Sequence, residues 1–145
     1  MERADWTLLV ISTAAPNSLD PVQLQKSVFL LGKNCPQIVG DGFYNFQPYN
    51  FGPFDVRVYQ DAEDLQVRGY VAIHRPQWRS WGEYATTAAG DERATRIFRE
   101  DPTARSVSEY IHRLVPWVRG LSFETLIKTI YEHYPEFREN SVFRG

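Results

Sequence analysis

The sequence predicts a mostly helical α+β domain. Three observations carry this. Apolar residues recur at helical spacing through most of the chain. Asp, Ser, Pro and Gly stand at the ends of those stretches, where helices start and stop. Only short segments have strand composition, and two of them flank one long turn. A chain of 145 residues, 43% hydrophobic and 14% aromatic, is one globular domain spanning residues 1–145.

The first helix is expected over residues 5–15, where Trp6, Leu9, Val10 and Thr13 share a face and Leu8 and Ile11 widen it. A helix apolar on most sides is a buried one. The second starts at Asp20, an N-cap followed by proline at the first helical position and by Gln23 three residues on. Leu24, Val28 and Leu31 form its core stripe, and Gly32 is expected to stop it. Residues 43–49 have strand composition, at an edge because Pro48 cannot donate to a ladder. Asn50-Phe51-Gly52-Pro53 then reads as a turn.

The third helix, residues 55–68, has Asp55 as cap, Gly69 as stop and Val58, Ala62 and Leu65 as its buried stripe. Residues 70–73 and 83–87 read as a β-hairpin whose long turn holds His74, Arg75, Trp78, Arg79 and Trp81. Three helical segments follow, at 91–100, at 104–118 with Pro116 near its end, and from the cap Ser122 to Pro135. Helices followed by a hairpin make a winged-helix-like core, with the C-terminal helices packed behind it. A plain helix-turn-helix has a turn of about 3–4 residues; here roughly twenty residues separate the second and third helices.

Charge and composition exclude several functions. A net charge of −2, from 16 basic and 18 acidic residues, excludes a polybasic nucleic-acid coat. One cysteine, Cys35, excludes an internal disulfide and a four-cysteine zinc site. No apolar run approaches the ~20 residues of a membrane span, and the start does not read as a signal peptide, so the expected location is cytoplasmic, away from membranes.

No catalytic constellation is evident. Cys35 lies in a loop with nothing beside it to activate a thiol. His74, His112 and His133 lack the paired spacing of metal ligands. Asn50-Phe51-Gly52-Pro53 has one glycine and is no phosphate loop. Asp61, Glu63 and Asp64, like Asp91 and Glu92, read as solvated charge. The chain is expected to be a non-enzyme without cofactor or metal.

Binding is better represented. Residues 43–54 hold six aromatics, Phe43, Tyr44, Phe46, Tyr49, Phe51 and Phe54, more than one edge strand and turn would bury. Aromatics and arginine are enriched at interfaces. Arginine outnumbers lysine 13 to 3, which fits interface chemistry and equally a codon bias. Next in sequence is the outer stripe of the third helix, Arg57, Asp61, Asp64 and Arg68, read as two i,i+4 ion pairs. Tyr49, Phe51 and Phe54 with that stripe form the expected partner-binding surface. Arg75, Trp78 and Arg79 in the hairpin turn are the candidates for nucleic-acid contact. Residues 68–119 hold nine arginines against six acids, enough for weak contact.

The segment Leu24-Gln25-Lys26-Ser27-Val28-Phe29-Leu30-Leu31 resembles the LQK helix of Panacea-domain (SocA-like) proteins and their YwgA-like relatives. Tyr49-Asn50-Phe51-Gly52-Pro53-Phe54, then Val58-Tyr59, Leu65 and Gly69-Tyr70-Val71, resembles the block that follows it in that family. Tyr134-Pro135-Glu136-Phe137 with Asn140-Ser141 resembles the YwgA-like tail. The resemblance covers residues 19–73 and the last quarter of the chain. It implies a helical domain with a winged-helix-like centre. It also implies a role in toxin–antitoxin or phage-defence systems, where such domains neutralise toxins and one adaptor delivers its toxin to a protease. It supplies no catalytic residues. The expected function is a non-enzymatic protein-interaction module that binds a toxin or defence effector. The alternative is a winged-helix DNA-binding transcriptional regulator.

Overall fold

A computed structural model describes residues 1–143. Helix α1 (Arg3–Thr13) is its centre. Leu8, Leu9, Val10 and Ile11 are all fully buried, because helices surround α1 on several sides. These are α2 (Pro21–Asn34), α4 (Val56–Val67), α5 (Ala88–Glu100) and α6 (Pro102–Gly120). Helix α7 (Phe123–His133) and a 3-10 turn at Pro135–Arg138 close the chain. The described residues are mostly helical, with two small antiparallel two-stranded sheets.

The start of α2 follows the sequence signal. Asp20 accepts from the Gln23 backbone N–H at 2.8 Å, and Gln23 Oε1 accepts from the Asp20 N–H at 3.0 Å. Leu24, Val28 and Leu31 are fully buried. Gly32 does not stop the helix, which runs on to Asn34. Its lack of a side chain serves packing instead: a Cβ there would lie 2.5 Å from Cε2 of Phe43. A short helix that the sequence reading lacks, α3 (Pro36–Val39), follows at once.

The expected strand over 43–49 is reduced to β1 (Gln47–Tyr49), and half of the expected turn is its partner, β2 (Gly52–Phe54). Pro48 faces Pro53 across this ribbon. With no N–H on either side, that pair occupies the position where an antiparallel ladder needs no hydrogen bond. Helix α4 has its cap Asp55 and its buried Val58, Ala62 and Leu65 as expected, and Gly69 ends it in the left-handed region at φ 88°.

The second sheet pairs β3 (Val71–His74) with β4 (Glu83–Thr86). Two later helices start earlier than expected. Thr87 caps α5 by accepting from Gly90 N–H, and Asp101 caps α6 by accepting from Thr103 N–H. Pro116 does not break α6, which continues to Gly120. Proline removes one bond to the carbonyl four residues back, and both Pro116 and His112 lie on the exposed side, so the carbonyl left without that bond is not sealed in the core. Ser122 caps α7, and Leu126, Ile127, Ile130 and Tyr131 are buried, while Phe123 is exposed. None of the described helices is long and apolar enough to cross a membrane.

Candidate functional site: the aromatic ribbon and its supports

The β1–β2 ribbon is held from below by α2. Gln25 Nε2 donates to the Asp55 carbonyl at 2.8 Å, and the Asp55 N–H donates back to Gln25 Oε1 at 3.1 Å. Lys26 Nζ donates to the Pro53 carbonyl at 3.0 Å. From α4, the Tyr59 hydroxyl reaches the Pro21 carbonyl at 3.0 Å. The segments around Gln25-Lys26 and Phe51-Gly52-Pro53 are thus in direct contact. The Asp55 carboxylate accepts from the N–H groups of Asn45 and Arg57 and from the Arg57 guanidinium at 2.6 Å. Burial alone would raise its pKa; the Arg57 side chain and the two backbone donors hold it below the usual carboxylate range.

This frame sorts the six aromatics of residues 43–54. Phe43 and Tyr44 are core residues, and Phe46 is half-buried against Phe29. Tyr49 and Phe51 point outward, and Phe54 is half-buried between Tyr49 and Tyr59. Tyr49 is 51% exposed and stacks on Phe54 at 4.8 Å. Phe51 is 40% exposed and meets the exposed Phe123 of α7 edge-on at 5.3 Å. The structure therefore brings together the three aromatics assigned to the partner surface and adds Phe123.

The stripe on α4 differs from its expected form. Arg57 does not pair with Asp61; it pairs with Asp55. Asp61 is held inside the molecule, accepting from Arg3 Nε at 2.8 Å, Arg3 Nη2 at 3.0 Å and the Tyr44 hydroxyl at 2.6 Å. Asp64 and Arg68 do pair, at 3.5 Å, and Arg68 also reaches Glu2 at 3.2 Å. The face of α4 turned to solvent carries Val56, Gln60, Glu63 and Val67 beside Asp64 and Arg68. The cause is α1, which packs along α4 and presents Arg3 to it.

The hairpin turn keeps its own cations occupied. Arg75 lies 3.7 Å from a Glu63 oxygen. The Arg79 guanidinium lies over Trp78 at 4.8 Å and Trp81 at 5.1 Å and reaches Glu83 at 3.9 Å. Trp78 is exposed. Cys35 is half-buried, and burial pushes its thiol up, the opposite of an activated nucleophile. Among the described residues no three His, Cys, Asp or Glu side chains are grouped to hold a metal ion.

Two features lie outside the sequence reading. One is an apolar groove of about 490 Å³ between α2, α6 and α7, floored by Leu30, Leu114 and Ile130 with Trp117 at its side. It joins three distant helices, so no local pattern announces it. The other is Lys26, which is 3% exposed. Its signal in the sequence is that it is the one charged residue among Leu24 to Leu31, the stretch that carries the apolar stripe of α2.

No family model matches the chain, and no curated protein matches it. The resemblance to the Panacea-domain family rests on the short motifs themselves.

Proposed function

We propose that this protein is a non-enzymatic interaction module of a toxin–antitoxin or phage-defence system. It would bind a protein partner on the aromatic ribbon. The observation that supports this reading is the exposure of Tyr49 and Phe51 on a ribbon braced by Gln25, Lys26 and Asp55. A braced backbone presents these side chains at little ordering cost, and exposed aromatics beside a polar rim are the usual anchors of an interface. The α4 part of the surface narrows to Asp64 and Arg68, because Arg57 and Asp61 are engaged within the chain. We read α4 and the β3–β4 hairpin as a winged-helix-like core, as the resemblance to Panacea-domain proteins implies.

Affinity purification from the native host tests the reading. Tyr49→Ala with Phe51→Ala should melt within about 1 kcal/mol of the parent and lose the captured partner, since truncating an anchor costs roughly 2 kcal/mol or more. A normally melting double variant that captures the same partner at parental strength would remove the ribbon as the interface.

A further inference from the structure

Beneath the β1–β2 turn lies a cavity of about 110 Å³, walled by Val22, Tyr49, Phe51, Phe54 and Tyr59 and opening at the exposed Tyr49 and Phe51. Lys26 and Gln25 form its polar end, and Gly52 passes directly over Lys26. The ammonium has three donors, and one is used, toward the Pro53 carbonyl. No carboxylate lies within ion-pair distance of Lys26 among the described residues. A charge taken out of water is costly unless it is paired, so a buried lysine facing a cavity lacks its counter-ion.

We infer that this cavity is a carboxylate site, in which Lys26 pairs with an aspartate or glutamate side chain of the protein partner that docks on the ribbon. The inference rests on the proposed docking surface and adds the partner's chemistry. Volume and charge both choose the carboxylate. The cavity far exceeds the ~10–15 Å³ that one water requires, leaving room for a planar carboxyl group and its methylene. A phosphate would bring a second negative charge against one cation. The aromatic mouth suits a residue carried on a protein surface, with Tyr49 and Phe51 closing over its stem.

The electrostatics of the cavity support this. Burial pushes the Lys26 amine down to about 7, opposed only by the Asp20 carboxylate at the start of α2. The other titratable groups around it are phenols: Tyr49 from β1, Tyr59 from α4 and Tyr131 from α7. A carboxylate binds the protonated form. Its binding is therefore fully present from the carboxylate's own ionisation up to about pH 7 and weakens about tenfold per pH unit above that, until the amine loses its proton in the complex as well.

The test uses the intact protein and propionate as probe. The chain has three lysines, so Lys33→Arg and Lys128→Arg assign the Lys26 ε-carbon signal without disturbing Lys26. Titrated by NMR, that signal should have its midpoint near 7, and about 100 mM propionate should raise the midpoint by about one pH unit. Propionamide, of the same shape and uncharged, should leave it in place. Equal midpoints in propionate and propionamide would overturn the site, as would a midpoint at the ordinary lysine value in the free protein. Loss of partner capture on Tyr49→Ala with Phe51→Ala, without any propionate response, leaves the ribbon interface standing and removes the carboxylate site. A propionate response with capture intact in that double variant removes the partner's role instead.

Discussion

At the scale of single residues, identical chemistry separated by one turn of helix has opposite roles. Asp61 and Asp64 both belong to α4, Asp61 turned toward α1 and Asp64 toward solvent. The Asp61 side chain is 14% exposed and receives Arg3 and Tyr44, whose hydroxyl is itself within 2.7 Å of Thr7 Oγ1. One carboxylate thereby ties α1, α4 and the chain before β1 into a polar cluster. Asp64 is exposed and pairs with an exposed arginine. Removing a carboxylate from a half-buried cluster leaves its donors unpaired, whereas exposed pairs contribute little. Asp61→Ala should cost about 1–3 kcal/mol and Asp64→Ala less than about 0.5 kcal/mol. Paired thermal melts check this, and equal losses would show the Arg3–Asp61–Tyr44 cluster to be inert. A charge reversal at Asp61 consequently reports on folding, and only Asp64 and Arg68 are useful probes of a partner on this face.

At the scale of elements, Gly32 shows packing overruling helix propensity. In the interior of α2, alanine would normally gain about 1 kcal/mol over glycine. Here the added carbon would meet the Phe43 ring at 2.5 Å, and that ring is held edge-on by Trp6 and Tyr44. Gly32→Ala should therefore destabilise by about 1–3 kcal/mol, and Phe43→Leu in the same chain should return part of the loss. A chemical-denaturation series over the four variants checks it; a stabilised single variant would mean that Phe43 yields freely. The same element explains what was legible in the sequence. The cap and stripe of α2 and the buried face of α4 are local patterns, so Asp20, Leu24, Val58 and Leu65 could be assigned from spacing. Gly32 as a stop was wrong because its cause, Phe43, lies eleven positions on in the sequence. The second strand of the ribbon has the composition of a turn because Gly52 and Pro53 are poor strand formers, and only pairing with β1 and the bond from Lys26 make them one. Likewise Tyr49, Phe51 and Phe54 could be singled out from aromatic density. The partner of Asp61 could not, because it is Arg3, fifty-eight positions away; that of Arg57 is the nearby cap Asp55, which helical i,i+4 spacing passes over because Asp55 precedes the helix.

At the scale of the whole molecule, charge placement separates protein binding from DNA binding. The net charge is −2, so no long-range field draws the chain to a polyanion. A local basic face would have to do so, and α4 with the hairpin turn is where the winged-helix reading puts it. On α4 the solvent side carries Glu63 and Asp64, Arg68 is shared between Asp64 and Glu2, and Arg57 is committed to Asp55. In the turn, Arg75 reaches Glu63 and Arg79 reaches Glu83 between two tryptophans. Each of these four arginines must first leave a carboxylate to meet a phosphate, and the freed carboxylate would then face the backbone of the duplex. Specific complexes are typically held at about 10⁻⁸–10⁻¹¹ M by several phosphate contacts made together. The chain should accordingly bind duplex DNA only weakly and without sequence preference at ~150 mM salt. Glu63→Gln with Glu83→Gln, which releases Arg75 and Arg79, should strengthen that binding and steepen its salt dependence by roughly two phosphate contacts. Gel-shift titrations of the parent and the double variant decide the matter. Sub-micromolar, sequence-selective binding by the parent would give the regulator reading precedence over the interaction module.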